Sequence, residues 1–154
     1  MLLWGRRGML EVWNPFVPEL VDSLRGHTDT VRAAAFSFDG QRFATVANDR
    51  KAMIWDANNG HLLSEIELSD KPTAVAWSRD NARIAIEGEG GLARVCNIKT
   101  GQSVTVTILD GGGKGLISFS PDGKGLVLNG ARGPRAFKIP ATIPGEAHLE
   151  CKKA

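Results

Sequence analysis

The sequence predicts an all-β fold assembled from one antiparallel unit of four short strands used several times over, on three observations. A serine-centred stretch recurs as Phe36-Ser37-Phe38-Asp39-Gly40, Trp77-Ser78-Arg79-Asp80-Asn81 and Phe119-Ser120-Pro121-Asp122-Gly123, its serines 41 and then 42 residues apart. A second series, Val12-Trp13-Asn14, Ile54-Trp55-Asp56, Val95-Cys96-Asn97 and Ala136-Phe137-Lys138, repeats at spacings of 42, 41 and 41. Between these marks lie short apolar runs such as Val31 to Phe36 and Phe43 to Ala47, and no segment sustains helical spacing over three turns.

Each unit can then be followed along the chain. Asp39-Gly40 and Asp122-Gly123 are hairpin dipeptides, because glycine reaches the positive φ that such turns demand. Asn59-Gly60 and Thr100-Gly101 are placed to turn a third strand into a fourth. Three consecutive units are expected at 24–66, 67–106 and 107–150, followed by a solvated tail at 151–154 that includes Lys152 and Lys153. Residues 1–23 are expected to end an earlier unit: Trp13 aligns with Trp55, so Met1 falls at the place of Phe43, inside a second strand whose first-strand partner is missing. At the other end, Gly145 to Glu150 resembles Gly60 to Glu65. Repeats of about 40 to 45 residues with these marks indicate four-stranded blades of a β-propeller, and so few blades make an incomplete ring. The expectation is the C-terminal part of a longer propeller; if the chain is instead complete, two copies would close the ring as a homo-oligomer. Alone, it would leave a sheet face and a strand edge open.

Composition narrows the class. A chain of 154 residues with 42% hydrophobic and 23% charged residues can build an ordinary globular core, and its 18 glycines suit many tight turns. A net charge of +2 is too small a basic footprint for a nucleic-acid binder. Cys96 and Cys151 lack the paired spacing of a disulfide framework or zinc site. Arg6 and Arg7 interrupt the apolar start, so neither a signal peptide nor a membrane span is expected. A soluble, cytoplasmic protein without a cofactor or metal is the expectation.

The unit beginning at Leu24 resembles a WD repeat, with Gly26-His27 at its head, Ser37-Phe38-Asp39-Gly40 in its first turn, Asp49 in the next and Trp55-Asp56 at its close. In that family a histidine, a serine or threonine, an aspartate and a tryptophan form a buried hydrogen-bond chain, and the resemblance assigns those places to His27, Thr45, Asp49 and Trp55. The next unit departs from the pattern: Ile86 stands for Thr45, Gly90 for Asp49, Cys96 for Trp55, and Asp70-Lys71 lies near the place of Gly26-His27. Its chain cannot form, and Val75, Trp77, Ile84 and Val95 must hold it instead. Cys96 is expected to be a small buried hydrophobe. Leu128 and Phe137 make the third unit degenerate as well.

Three short matches to ligand motifs fail on context. Gly88 to Ala93 has dinucleotide-motif letters but joins two strands. Gly111 to Gly115 lacks the hydroxyl residue of a phosphate loop, and His148-Leu149-Glu150 lacks the cysteine pair of a zinc deaminase. An enzyme with a channel site would need Asp, Glu or His on the inner strands, where Val31 to Phe36, Ala74 to Ala76 and Leu116 to Ser118 are apolar or small. What remains is a non-catalytic scaffold whose loops take a protein or peptide. By resemblance, the interblade loops and those between second and third strands share the binding face, placing Thr28, Thr30, Arg50, Lys51, Lys71, Glu89, Lys114 and Arg132 there, with Glu87 among the surface acids. A sensor or regulatory propeller domain of a multidomain bacterial enzyme is the alternative.

Overall fold

The predicted alternation is realised as strands throughout a computed structural model of the chain, whose described residues are 2–4, 9–13, 20–107, 115–130, 133–139 and 152–153, with side chains described for 25–105, 115–129 and 133–139. Among them there is no helix. An amino-terminal sheet joins β1 (Leu2–Trp4), β2 (Met9–Trp13) and β3 (Leu20–Arg25) in that order, and Leu24 and Arg25 pair with Leu10 and Met9.

The first four-stranded array comprises β4 (Val31–Phe36), β5 (Arg42–Ala47), β6 (Lys51–Asp56) and β7 (Leu62–Glu67), all antiparallel. The second repeats it as β8 (Pro72–Trp77), β9 (Arg83–Gly88), β10 (Leu92–Asn97) and β11 (Ser103–Thr107). The third sheet has β12 (Ile117–Phe119), β13 (Gly125–Gly130) and β14 (Gly133–Lys138) among the described residues. The two residues of β15 (Lys152–Lys153), read from the sequence as a solvated end, pair by backbone with Glu65 and Ser64 on the outer edge of β7. The expected strand at Gly145 to Glu150 lies outside the described residues.

The repeat extends to its irregularities. The β4–β5 ladder shifts register between Val31 and Ala33, and the β8–β9 ladder shifts at the corresponding Pro72 and Ala74. Each first hairpin is closed by the same turn. The Ser37, Ser78 and Ser120 hydroxyls donate to Asp39, Asp80 and Asp122 at 2.6, 2.5 and 2.5 Å, and the N–H groups of Arg42, Arg83 and Gly125 donate back to those serine oxygens. The positive φ required here falls on Gly40 (69°), Asn81 (56°) and Gly123 (68°). Asparagine tolerates that region better than most side chains, which explains how the second turn keeps its shape without glycine.

Strand alternation gives every sheet two faces. Ala44, Val46, Ala52, Ile54 and Ile66 pack against Val75, Trp77, Ile84, Ile86 and Cys96 of the second sheet as one core. The other face of the second sheet, with Ala85, Ala93 and Val95, packs on Leu126, Leu128 and Ile139 of the third. Burying a side chain such as Ile54 or Ile84 contributes roughly 1.5–3 kcal/mol, so this stacking is the main source of stability. The result is a partial β-propeller.

Two arginines latch consecutive sheets together. Arg42 donates from Nη2 to the Asn81 carbonyl at 2.9 Å, with its guanidinium 5.1 Å from the centroid of Trp77. Arg83 repeats the contact one sheet on, to the Gly123 carbonyl at 2.9 Å, 5.7 Å from the Phe119 ring. Trp77 also donates its indole N–H to the Ala35 carbonyl at 2.9 Å.

Candidate functional site

Two loops meet at the start of β4: residues 26–30, and the β5–β6 turn at 48–50. The turn is closed by Arg50 N–H donating to the Ala47 carbonyl, and Asn48 N–H ties it to Thr30. Arg50 takes φ 62°, where the second sheet has Gly91 at 74°. Beneath this junction the structure brings together His27, Thr45, Asp49 and Trp55. The Trp55 indole N–H donates to Thr45 Oγ1 at 2.9 Å, Thr45 Oγ1 lies 2.7 Å from His27 Nε2, and His27 Nδ1 lies 2.9 Å from Asp49 Oδ2. A carboxylate only accepts, so Nδ1 carries the hydrogen; the Thr45 hydroxyl, already accepting from Trp55, then donates to Nε2. Asp49 Oδ2 also accepts the Thr28 N–H at 2.9 Å, and Oδ1 the Lys51 N–H at 3.0 Å.

This chain is buried, with the His27 and Asp49 side chains 1% and 4% exposed and Thr45 at 0%. Trp55 stacks on Phe43 at 6.1 Å and 11° between planes. A Cβ on Gly26 would stand 2.7 Å from Trp55 Cη2, so the indole fits only because that residue is glycine. All four side chains spend their polar atoms on one another or on nearby backbone. What the arrangement can do chemically is fix the loop before β4 to the β5–β6 turn.

The second sheet solves the same problem differently. Asp70, in the loop before β8, accepts the Gly90 N–H of the β9–β10 turn at 3.1 Å. Its carboxylate lies over Gly88, where a Cβ would come within 2.1 Å of it. The expected absence of the four-residue chain is observed, and Cys96 is 1% exposed among core side chains.

Glu87 corrects the sequence reading. Placed there among surface acids, it is 0% exposed on β9, between the second and third sheets. It occupies the station of Val46, where alternation turns the side chain into the interface. Thr73 Oγ1 donates to it only at 3.5 Å, and Oε1 has no hydrogen-bond partner among the described residues. Burial raises its carboxyl above the ordinary range, opposed by the N–H groups of Gly115 and Leu116 and the Thr73 hydroxyl.

Of the proposed contact residues, Thr28, Thr30, Arg50, Lys71 and Glu89 are exposed at this loop edge. The loops of Arg50 and Lys71 are joined, since Leu68 N–H donates to the Arg50 carbonyl at 2.9 Å and Glu89 N–H to the Lys71 carbonyl at 2.8 Å. Lys51 instead begins β6, its ammonium held by Glu65 at 2.6 Å. Lys114 and Arg132 lie outside the described residues, as do Arg6 and Arg7. Among the described residues, no group of three or more His, Cys, Asp and Glu could hold a metal ion.

Stacked antiparallel blades repeated at about 41 residues, the first of them stapled by a buried His-Thr-Asp-Trp chain, define a β-propeller repeat protein. The family profile described as "WD domain, G-beta repeat" matches residues 18–56, the span that holds His27, Thr45, Asp49 and Trp55. The chain is 28% identical over 140 residues to apoptotic protease-activating factor 1 of Rattus norvegicus, covering 84% of this chain and 11% of that protein. It is 32% identical over 109 residues to a ribosome biogenesis protein BOP1 homolog of Drosophila virilis, covering 70% and 13%. With a WD repeat-containing protein 26 homolog of Arabidopsis thaliana it shares 31% identity over 110 residues, covering 68% and 18%. The chain belongs to the WD-repeat family, and it spans about a tenth to a fifth of the length of these relatives.

Proposed function

We propose that the chain is a non-catalytic scaffold, part of a longer propeller, that binds a protein or peptide through the loop edge carrying Thr28, Thr30, Arg50, Lys71 and Glu89. The observation behind this reading is the rigid seating of those loops: the His27–Asp49 pair and the Asp70–Gly90 contact hold them from below, while their own side chains stay exposed. A preorganised loop set loses less conformational entropy on binding than a mobile one. The relatives' WD-repeat character supports a scaffold role generally. Function then resides in the loops and not in the blade architecture.

Reversing Arg50 and Lys71 together to glutamate tests the proposal. Affinity capture from lysate of the cells that make the protein should lose the bound partner, with the melting temperature of the variant unchanged. Undiminished capture would exclude this edge as the site.

A further inference from the structure

The opposite end of the inner strands carries the two most apolar exposed features of the first sheet: Phe36 is 43% and Phe38 66% exposed. They border a cleft of about 410 Å³ whose wall continues through Trp77, Phe119 and Pro121, with Arg79 at the rim. Each of the three sheets contributes the end of its innermost strand. A patch of this kind, apolar and rimmed by polar groups, marks an interaction surface.

The charges around the cleft decide what fits it. The carboxylates of Asp39, Asp80 and Asp122 are each held through Oδ1 by their own turn: each accepts from a serine hydroxyl and a backbone N–H, of Gln41, Ala82 and Lys124 respectively. Asp80 additionally faces Arg83 at 3.6 Å. Two of the three arginines are spent as latches, Arg42 on Asn81 and Arg83 on Gly123. Arg79 is exposed and makes no ion pair or hydrogen bond among the described residues. None of these carboxylates lines the cleft, whose one charged lining residue, Arg79, stands beside exposed aromatic rings.

We infer that this cleft is a second docking site, distinct from the loop edge, for an extended peptide that places a bulky apolar side chain against Phe36 and Phe38 and an adjacent carboxylate on Arg79. A guanidinium donates two parallel N–H bonds to a carboxylate, and the flanking rings shield the pair from water. The site lies at the far end of the strands from Arg50, because β4 runs from the loop edge at Val31 to this cleft at Phe36. It therefore stands or falls separately from the scaffold reading.

Calorimetric titration of the whole chain with three capped octapeptides tests it. One carries leucine and phenylalanine flanked by glutamates, one has lysines in place of the glutamates, and one has glycines in place of the apolar pair. Only the first should bind, and R79E and F38A should each weaken it by at least about tenfold, while R50E leaves it unchanged. Both altered residues are exposed, so the variants should keep the parent circular-dichroism melt. Failure of the acidic apolar peptide to bind, equal binding of the lysine control, or indifference to R79E and F38A would overturn the inference. So would light scattering that shows a dimer dissociated by F38A, because a second copy would then be the occupant.

Discussion

The first and second four-stranded sheets match strand for strand in their ladders, yet they tie their loop edges in opposite directions. In the first, an aspartate on the turn between second and third strands, Asp49, accepts from backbone of the preceding loop at Thr28. In the second, an aspartate on the preceding loop, Asp70, accepts from backbone of that turn at Gly90. The geometry demands a strap between loop and turn, and either side can supply the carboxylate. Only the first sheet extends the strap inward through His27, Thr45 and Trp55, so it carries a satisfied buried polar chain. The second fills the same depth with Ile86 and Cys96, and it keeps one buried acid, Glu87, with an unmade hydrogen bond.

The largest break in this comparison should come from Thr45→Val, which leaves His27 Nε2 and the Trp55 indole without partners. An orphaned buried group costs about 1–3 kcal/mol, so roughly 2–5 kcal/mol is expected from urea unfolding. Ile86→Val at the same station of the second sheet should cost about 0.5–1.5 kcal/mol, the loss of one methylene. Equal losses would mean that the polar chain contributes nothing beyond packing.

Next in size are the straps. Asp49→Ala should cost about 1–3 kcal/mol because His27 Nδ1 is left buried. Asp70→Ala removes one partly exposed bond and should cost about 0.5–1 kcal/mol. Among the latches, Arg42→Ala should cost about 1 kcal/mol and Arg83→Ala less, since tryptophan is the better cation–π face. Chemical denaturation midpoints rank all four.

The acids sharpen the contrast through pH. Burial holds the folded Glu87 carboxyl above its ordinary value of 4.5, so its stabilising contribution is whole below 4.5 and fades as pH rises through the folded value. Asp39, Asp80 and Asp122 are lowered from 3.8 by their serine hydrogen bonds, so their contributions are present above 3.8 and are lost as pH falls through the folded values. Glu87→Gln should therefore be more stable than the parent by about 1 kcal/mol at mildly alkaline pH, because a buried charge is harder to desolvate than an amide. The gap should close as pH falls towards 4.5. A gap independent of pH would show that Glu87 does not titrate with folding.

Much of this was legible in the residues. The period and the serine turns follow from local marks at fixed offsets, and the resemblance to a WD repeat assigned the four members of the buried chain. Contacts between repeats were not, because nothing near Arg42 in sequence names Asn81, 39 residues on, as its partner. A signal existed in the repeat itself: Arg42 and Arg83 each stand five residues after a turn serine. Glu87 was misplaced because charge was read as exposure. Its alignment with Val46 would have put it on a buried face, as strand alternation requires. The Asp70–Gly90 strap escaped notice for a similar reason: a missing aspartate on the turn hid its replacement on the loop.

Indole hydrogen exchange, followed by NMR in the parent and in Thr45→Val, probes the central claim most directly. The Trp55 and Trp77 Nε1–H groups should both exchange slowly in the parent, and the substitution should speed Trp55 alone, because Trp77 donates to the Ala35 carbonyl and not to Thr45. A Trp55 indole that exchanges as fast as an exposed one in the parent, or that is untouched by loss of the Thr45 hydroxyl, would contradict the account.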